Sequence, residues 1–328
     1  MRRFLIAVLS VLAVVSLAPH AGAQAKKQLA FGCTAAASSY YPYCVGAAKA
    51  INEGVSEISV DVVATGGATD NMRRIRKDDI DLWIAAASAP YNAYRALQAF
   101  KQDSPQDDLR AMWYWTDAPI NWVVRKGEGI TSLKALNGRD FSAGGLGTAT
   151  EQITYEIFGL LGIQPKYHRG GMADAKEAFQ NRRVVGFTKA GLPPDSYISE
   201  MAIFFPVEIL GLSAEEMKNI TRQFPYYTPY TVPAAAYRGQ ELAVTIASVP
   251  FAAGASTKLS ADLAYKILKA LYGPKGRKEW EVTYPPAAKF DHLEAARLSS
   301  IPLHAGAVRY YLEQGVKLPK EVIPPEYK

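Results

Sequence analysis

Three short loops of this 328-residue chain are built almost wholly of small and hydroxyl-bearing residues: Thr34 to Tyr41, Thr65 to Asn71 and Gly144 to Thr150. Each follows an apolar run and precedes a helical stretch. In open α/β sheets ligands gather at such places, where strand ends meet the free amides and positive dipole end of the next helix. None of the three contains His, Lys or Arg, and Asp70 is the only charged residue among them. This inventory suits holding a carboxylate with dipoles and hydroxyls, without covalent chemistry. The candidate ligand contacts are Thr34, Ser38 and Ser39 from the first loop, Thr65, Gly66 and Gly67 from the second, and Gly147, Thr148 and Thr150 from the third. Tyr40 or Tyr41 would add an aromatic wall and a phenol donor. Lys189 follows a strand-like run and is either a cation reaching the ligand or a solvated surface lysine; Arg125 offers the same choice.

Other chemistries fit less well. The Gly144 loop lacks the Gly-Lys-Ser/Thr ending of a phosphate-binding loop and the final small residue of a dinucleotide fingerprint. A hydrolase would need a nucleophile with a neighbouring base. There is no Gly-x-Ser-x-Gly elbow, and His168, His292 and His304 lie outside the three loops, His304 reading as structural. Two cysteines and scattered histidines give no metal-ligand spacing, so neither metal nor cofactor is expected. Cys33 and Cys44 are either a disulfide or two small buried hydrophobes; closing so short a loop would contribute roughly 3 kcal/mol in the chain-entropy model.

The elements that position these loops alternate strand, loop and helix, the pattern of an α/β protein with largely parallel sheets. Leu29 to Gly32, Ile58 to Ala64 and Asp81 to Ala87 read as strands. Tyr41 to Gly54 reads as a helix with Val45, Ala48 and Ile51 on one face, Asn71 to Lys77 as a helix capped by Asp70 or Thr69, and Ala89 to Phe100 as a third. The pattern restarts with strands at Asn121 to Arg125 and Arg139 to Ala143, a helix at Glu151 to Leu161 and a strand at Val184 to Phe187; Ala243 to Val249 returns the chain. Phe224 to Pro233, with Tyr226, Tyr227 and Tyr230, reads as an extended excursion whose aromatics pack. Residues 24–120 and 248–328 are expected to form one domain and 121–247 a second, inserted one, so that two crossings make a hinge.

At the N-terminus Arg2 and Arg3 precede an apolar run from Phe4 to Leu17 and a small-x-small pattern at Ala21-Gly22-Ala23. This is a secretory signal peptide, residues 1–23, and predicts an exported, periplasmic, soluble chain from Gln24 onward. Loss of Arg2 and Arg3 takes the formal charge from +6 to +4, a scattered excess that does not suggest nucleic acid. The cluster Arg73, Arg74, Arg76 and Lys77 reads as a solvated helix face.

These loops also carry a family resemblance. Gly32 to Gly46 with Tyr40-Tyr41-Pro42, then Thr65-Gly66-Gly67 followed by Asn71, closely resemble the TAXI family of TRAP-transporter solute receptors. Asp81, the Gly144 to Thr150 loop, Gly191 with Pro193, and His304-Ala305-Gly306-Ala307 with Tyr310-Tyr311 continue the likeness in order. The resemblance implies a type II periplasmic-binding-protein fold, two α/β domains joined by a two-crossing hinge. It implies a monomer that delivers a small-molecule ligand to a membrane TRAP transporter of fused small and large subunits, driven by an ion gradient. Glutamate, glutamine and 2-oxoglutarate are the implied ligands. The sequence departs from the family where its usual Gln-Ser-Asp reads Ala86-Ala87-Ser88, which leaves Ser88 as the remaining hydroxyl there, where Trp83 replaces a small residue, and where Val185-Gly186 replaces Asp-Ala. An exported protein that signals to a membrane sensor would share the fold.

Overall fold

The computed structural model describes residues 26–224 and 226–328, so the signal-peptide reading lies outside the described residues. The chain opens with strand β1 (Lys27–Gly32), helix α1 (Tyr41–Gly54), β2 (Ile58–Val63), α2 (Ala68–Arg76), β3 (Leu82–Ala86), α3 (Ser88–Tyr94) and β4 (Leu109–Arg125). There follow β5 (Asp140–Ser142), α4 (Ala149–Leu161), β6 (Lys166–Tyr167), α5 (Met172–Gln180), β7 (Gly186–Ala190), α6 (Ser196–Phe204), β8 (Val207–Leu210), α7 (Ala214–Gln223) and β9 (Thr228–Val232). Strand β10 (Val244–Ser256) then leads to α8 (Ala261–Tyr272), α9 (Pro274–Thr283), α10 (His292–Arg297) and α11 (Ala305–Glu313).

Two long strands explain the architecture. The first part of β4, Leu109 to Pro119, pairs antiparallel with β10, while its end, Ile120 to Arg125, pairs with β7 and β8. Strand β10 likewise pairs through Val244 to Ser248 with β9 before it runs beside β4 and β3. Around these crossings one half carries β1 parallel to β2 and β3, and the other carries β5 parallel to β6 and β7. Apart from Asp117, every residue of β4 is buried, including Trp113, Trp115 and Trp122. A buried strand thus passes from one half to the other.

Several local expectations change for identifiable reasons. Helix α2 starts one turn earlier than its polar residues suggest, with Gly67 at the N-cap in a conformation (φ 104°) that side chains rarely adopt. Asp70, expected as the cap, instead accepts from the Gly66 amide and pairs with Arg74. Arg73 and Arg76 of the basic cluster donate to the Ala99 carbonyl and to Ser104, so they tie α2 to the segment after α3. The helix expected to reach Phe100 ends at Tyr94, because Ala96 and Gln98 take positive φ before a single 3₁₀ turn. On α1, Val45 is exposed beside Lys49 and Glu53, while Tyr43, Cys44, Ala47, Ala48 and Ile51 face inward. The extended excursion is a paired strand, β9, and Tyr226 and Tyr227 just before it both donate to Glu156. His304 caps α11, its ring accepting from the Gly306 amide while Nε2 meets the Leu259 carbonyl.

Candidate functional site

The three loops lie at the carboxyl ends of β1, β2 and β5, and the fold brings them together between the halves. The Thr69 amide donates to the Gly147 carbonyl at 3.2 Å, and the Ser39 hydroxyl donates to the Asp195 carboxylate at 2.7 Å. Near these contacts is a small cavity of about 30 Å³, large enough to admit water. Thr34, Ser38, Tyr40, Gly67 and Ala68 wall it from one side. Thr148, Thr150, Met172 and Lys189 wall it from the other, and Phe251 of the crossing strand closes it. Ser38 also lines a larger groove of about 430 Å³ that opens past Ser39 and Asp195.

Lys189 is neither solvated nor unpaired. It is 3% exposed, its ammonium stands 3.4 Å from Asp195 Oδ2 and 4.5 Å from the Tyr40 ring centroid, and it also donates to the Ala190 carbonyl. A charge removed from water this far must be compensated, and Asp195 is positioned to do it. Its Oδ1 caps α6 by accepting from the Tyr197 and Ile198 amides, which fixes the carboxylate and leaves Oδ2 for Ser39 and Lys189. The Tyr40 hydroxyl is buried and has no hydrogen-bond partner among the described residues. Burial, then the nearby Tyr284, Asp195, Asp117 and Tyr237, push its pKa well up, so it remains a donor at neutral pH. Burial also raises the Asp117 carboxyl.

On the opposite wall a second buried charge shapes the Gly144 loop. Glu151, in the first turn of α4, accepts from the Gly147 amide and the Tyr155 hydroxyl, both at 2.9 Å, and pairs with Arg169 at 3.3 Å. Thr148 caps the helix by accepting from the Glu151 amide while it donates to the Gly145 carbonyl. The amides of Ala149 and Thr150 can have no partner within the helix, and both residues line the cavity. Ala68 stands in the same way at the first position of α2. Two helix N-termini, one from each half, therefore converge on the space beside Lys189, a geometry that favours an anionic group.

Of the residues singled out by sequence, Thr34, Ser38, Tyr40, Gly67, Thr148, Thr150 and Lys189 line the cavity, and Ser39 lines the groove. The others have different places. Thr65 donates to the Cys33 carbonyl and accepts from the Gly67 amide, which sets the turn before α2. Gly66 is exposed with its amide on Asp70, and the Gly147 amide is held by Glu151. Tyr41 is partly exposed in the first turn of α1 and walls neither space; Ser88 is buried at the start of α3, against the Tyr227 hydroxyl. Arg125 lies away from the cavity, paired with Glu128 at 2.5 Å and stacked on Phe179 and Phe205. Cys33 and Cys44 are joined by a disulfide, their Cα atoms 6.3 Å apart. Among the described residues, no three His, Cys, Asp or Glu side chains are grouped to hold a metal ion.

Sequence reasoning did not single out Asp195, Met172 or Phe251. Asp195 carried one signal, an N-cap residue after Pro193-Pro194 and before a helical run. Nothing in the sequence placed it against Ser39, 156 positions away.

Residues 31–315 match a family profile described as the NMT1-like family. Among solved structures, the chain is similar to the periplasmic binding protein BugD, with TM-score 0.53 and 13% identity over 90% of this chain and 100% of that one. It is also similar to a putative L-cystine ABC transporter from Listeria monocytogenes, with TM-score 0.51 and 11% identity over 81% and 98% of the two chains. These likenesses carry the fold, which is the type II periplasmic-binding-protein fold, two α/β halves joined by two crossing strands.

Proposed function

Because the chain belongs to the NMT1-like family, we propose that it is an extracytoplasmic solute receptor that encloses a small carboxylate-bearing metabolite between its halves and presents it to a membrane transporter. The observation that carries this reading is the convergence of the α2 and α4 N-termini with Lys189 on one small cavity walled by both halves. Residues 24–120 with 248–328 act as one body and 121–247 as the other. Contacts such as Thr69 to Gly147 and Ser39 to Asp195 exist only when the two are together. A ligand that touches both walls binds the closed form better than the open one and shifts the population toward it. The transporter then reads the closed shape.

In its finer form the reading is a monomeric, periplasmic TAXI-type receptor of a TRAP transporter with fused small and large subunits, for which glutamate, glutamine and 2-oxoglutarate are the first ligands to try. No catalytic step is assigned, since Lys189, the one charged group in the cavity wall, is engaged in an ion pair. Thermal unfolding against a panel of amino acids, oxo acids, dicarboxylates and sugars tests the reading. A ligand at about 100 times its dissociation constant adds roughly 2.7 kcal/mol and raises the midpoint by several degrees. Stabilisation by sugars alone, with none by any carboxylate, would overturn it.

A further inference from the structure

The cavity and the groove differ in the charged residues that line them, and both are bordered by Ser38. The cavity takes at most a carboxylate-sized head beside Lys189. The groove, at about 430 Å³, falls in the size range of small-molecule sites. It too is built from both halves: Ser39 and Pro42 at the start of α1 and Tyr284 after α9 on one side, Pro194, Tyr197 and Glu200 around α6 on the other. Among the described residues its charged lining groups are Asp195 and Glu200, and Glu200 is paired with Lys176, which stands outside the lining. Tyr40, whose buried hydroxyl is without a partner among the described residues, lines the cavity, and its ring centroid lies 5.8 Å from that of Tyr284 in the groove wall.

Resting on the receptor reading above, we propose that the groove is the second half of the ligand site and that it selects, among carboxylate-bearing metabolites, those whose far end is cationic over dicarboxylates. A ligand carboxylate that reaches Lys189 and the two helix N-termini takes over part of the contact that Asp195 now makes with that ammonium. Asp195 is buried, so it then needs a new positive partner. A ligand with an ammonium or guanidinium at its other end supplies one and leaves each buried charge compensated. A dicarboxylate instead brings a second negative charge toward Asp195, while Glu200 already has Lys176 as its partner. The Tyr197 and Tyr284 rings and the proline faces offer apolar cover for the methylene stem between the ends, and aromatic faces also attract a cation. The unpartnered Tyr40 hydroxyl gains an acceptor in the ligand carboxylate.

Titration calorimetry of the protein purified after expression of the full chain tests this with lysine, arginine, glutamine, glutarate and 2-oxoglutarate at fixed ionic strength. The expected result is that lysine or arginine binds at least about tenfold tighter than either dicarboxylate. The variant Glu200→Lys, on an exposed helix position, places a second cation beside Lys176 and should reverse the preference, and Glu200→Gln should narrow it. Dicarboxylates binding as tightly as lysine and arginine, or a preference unmoved in both Glu200 variants, would overturn the inference and leave the receptor reading standing. Failure of all five compounds to bind would overturn the inference, and the receptor reading would fall with it only if no carboxylate of the wider thermal panel stabilised the protein.

Discussion

The two loops that face each other across the cavity look alike in sequence and are braced in different ways. The loop from Thr34 to Tyr40 is pinned covalently, because Cys33 and Cys44 close a ring around it and join the end of β1 to α1. The loop from Gly144 to Thr148 has no covalent brace. It folds around the carboxylate of Glu151, which draws in the Gly147 amide, Tyr155 and Arg169. Small residues make both loops accessible to a ligand, but they cannot hold a loop in place. Each half therefore needs a second device, and the chain uses a disulfide in one half and a buried carboxylate in the other.

That contrast can be broken at either brace. The largest effect is expected from Cys33→Ala with Cys44→Ala: an 11-residue separation corresponds to about 3 kcal/mol of lost stability in the chain-entropy model, read by denaturant unfolding in water. The same variant should bind ligand more weakly, since Ser38, Ser39 and Tyr40 lie inside the ring. Unchanged stability would show that packing alone holds the first loop. Next, Glu151→Ala leaves the Gly147 amide and the Tyr155 hydroxyl without their acceptor, at a cost of about 2 kcal/mol, and should loosen the second loop in amide exchange while the first stays protected. Thr148→Ala removes a helix cap and costs about 1 kcal/mol; a larger loss in ligand affinity than in stability would separate the loop's binding role from its capping role.

A smaller effect comes from the third contact between the halves, where Asn92 of α3 donates to Glu156 of α4 at 3.2 Å. Burial raises the Glu156 carboxyl, partly offset by hydrogen bonds from Tyr227, Asn92 and Tyr226. The folded state therefore holds this proton to higher pH than the unfolded state does. The stability it contributes is full below the ordinary carboxylate range and is lost as pH rises through the raised value. Glu156→Gln should flatten that part of the pH–stability curve, measured as unfolding midpoints across the mildly acidic range. An unchanged curve would place the titration elsewhere.

Much of this was legible along the chain. The alternation of strand, small-residue loop and helix gives the α/β architecture, and each loop does end a strand, because a helix start packed against a sheet needs residues that let backbone approach backbone. What escaped the sequence depends on pairs distant along the chain or on backbone conformation. Gly67 serves as a cap only because it can adopt a positive φ, so a reading based on polar cap residues looked one turn too late. Lys189 reads as a surface lysine until Asp195 is known to neutralise it, and Glu151 reads as an ordinary acidic residue of a first helical turn although it is buried. Thr65 and Thr148 belong to the same compositional class, yet one shapes a turn and the other walls the cavity; that distinction is set by which way each loop turns.

The central claim is that the two halves close on a ligand held between them, and small-angle X-ray scattering tests it most directly. Profiles of the chain would be compared with and without a saturating concentration of the panel compound that most raises its unfolding midpoint. A smaller radius of gyration is expected with ligand, with a bound profile that matches the arrangement in which both halves wall the cavity. Superimposable profiles, with binding verified in the same samples, would contradict hinge closure.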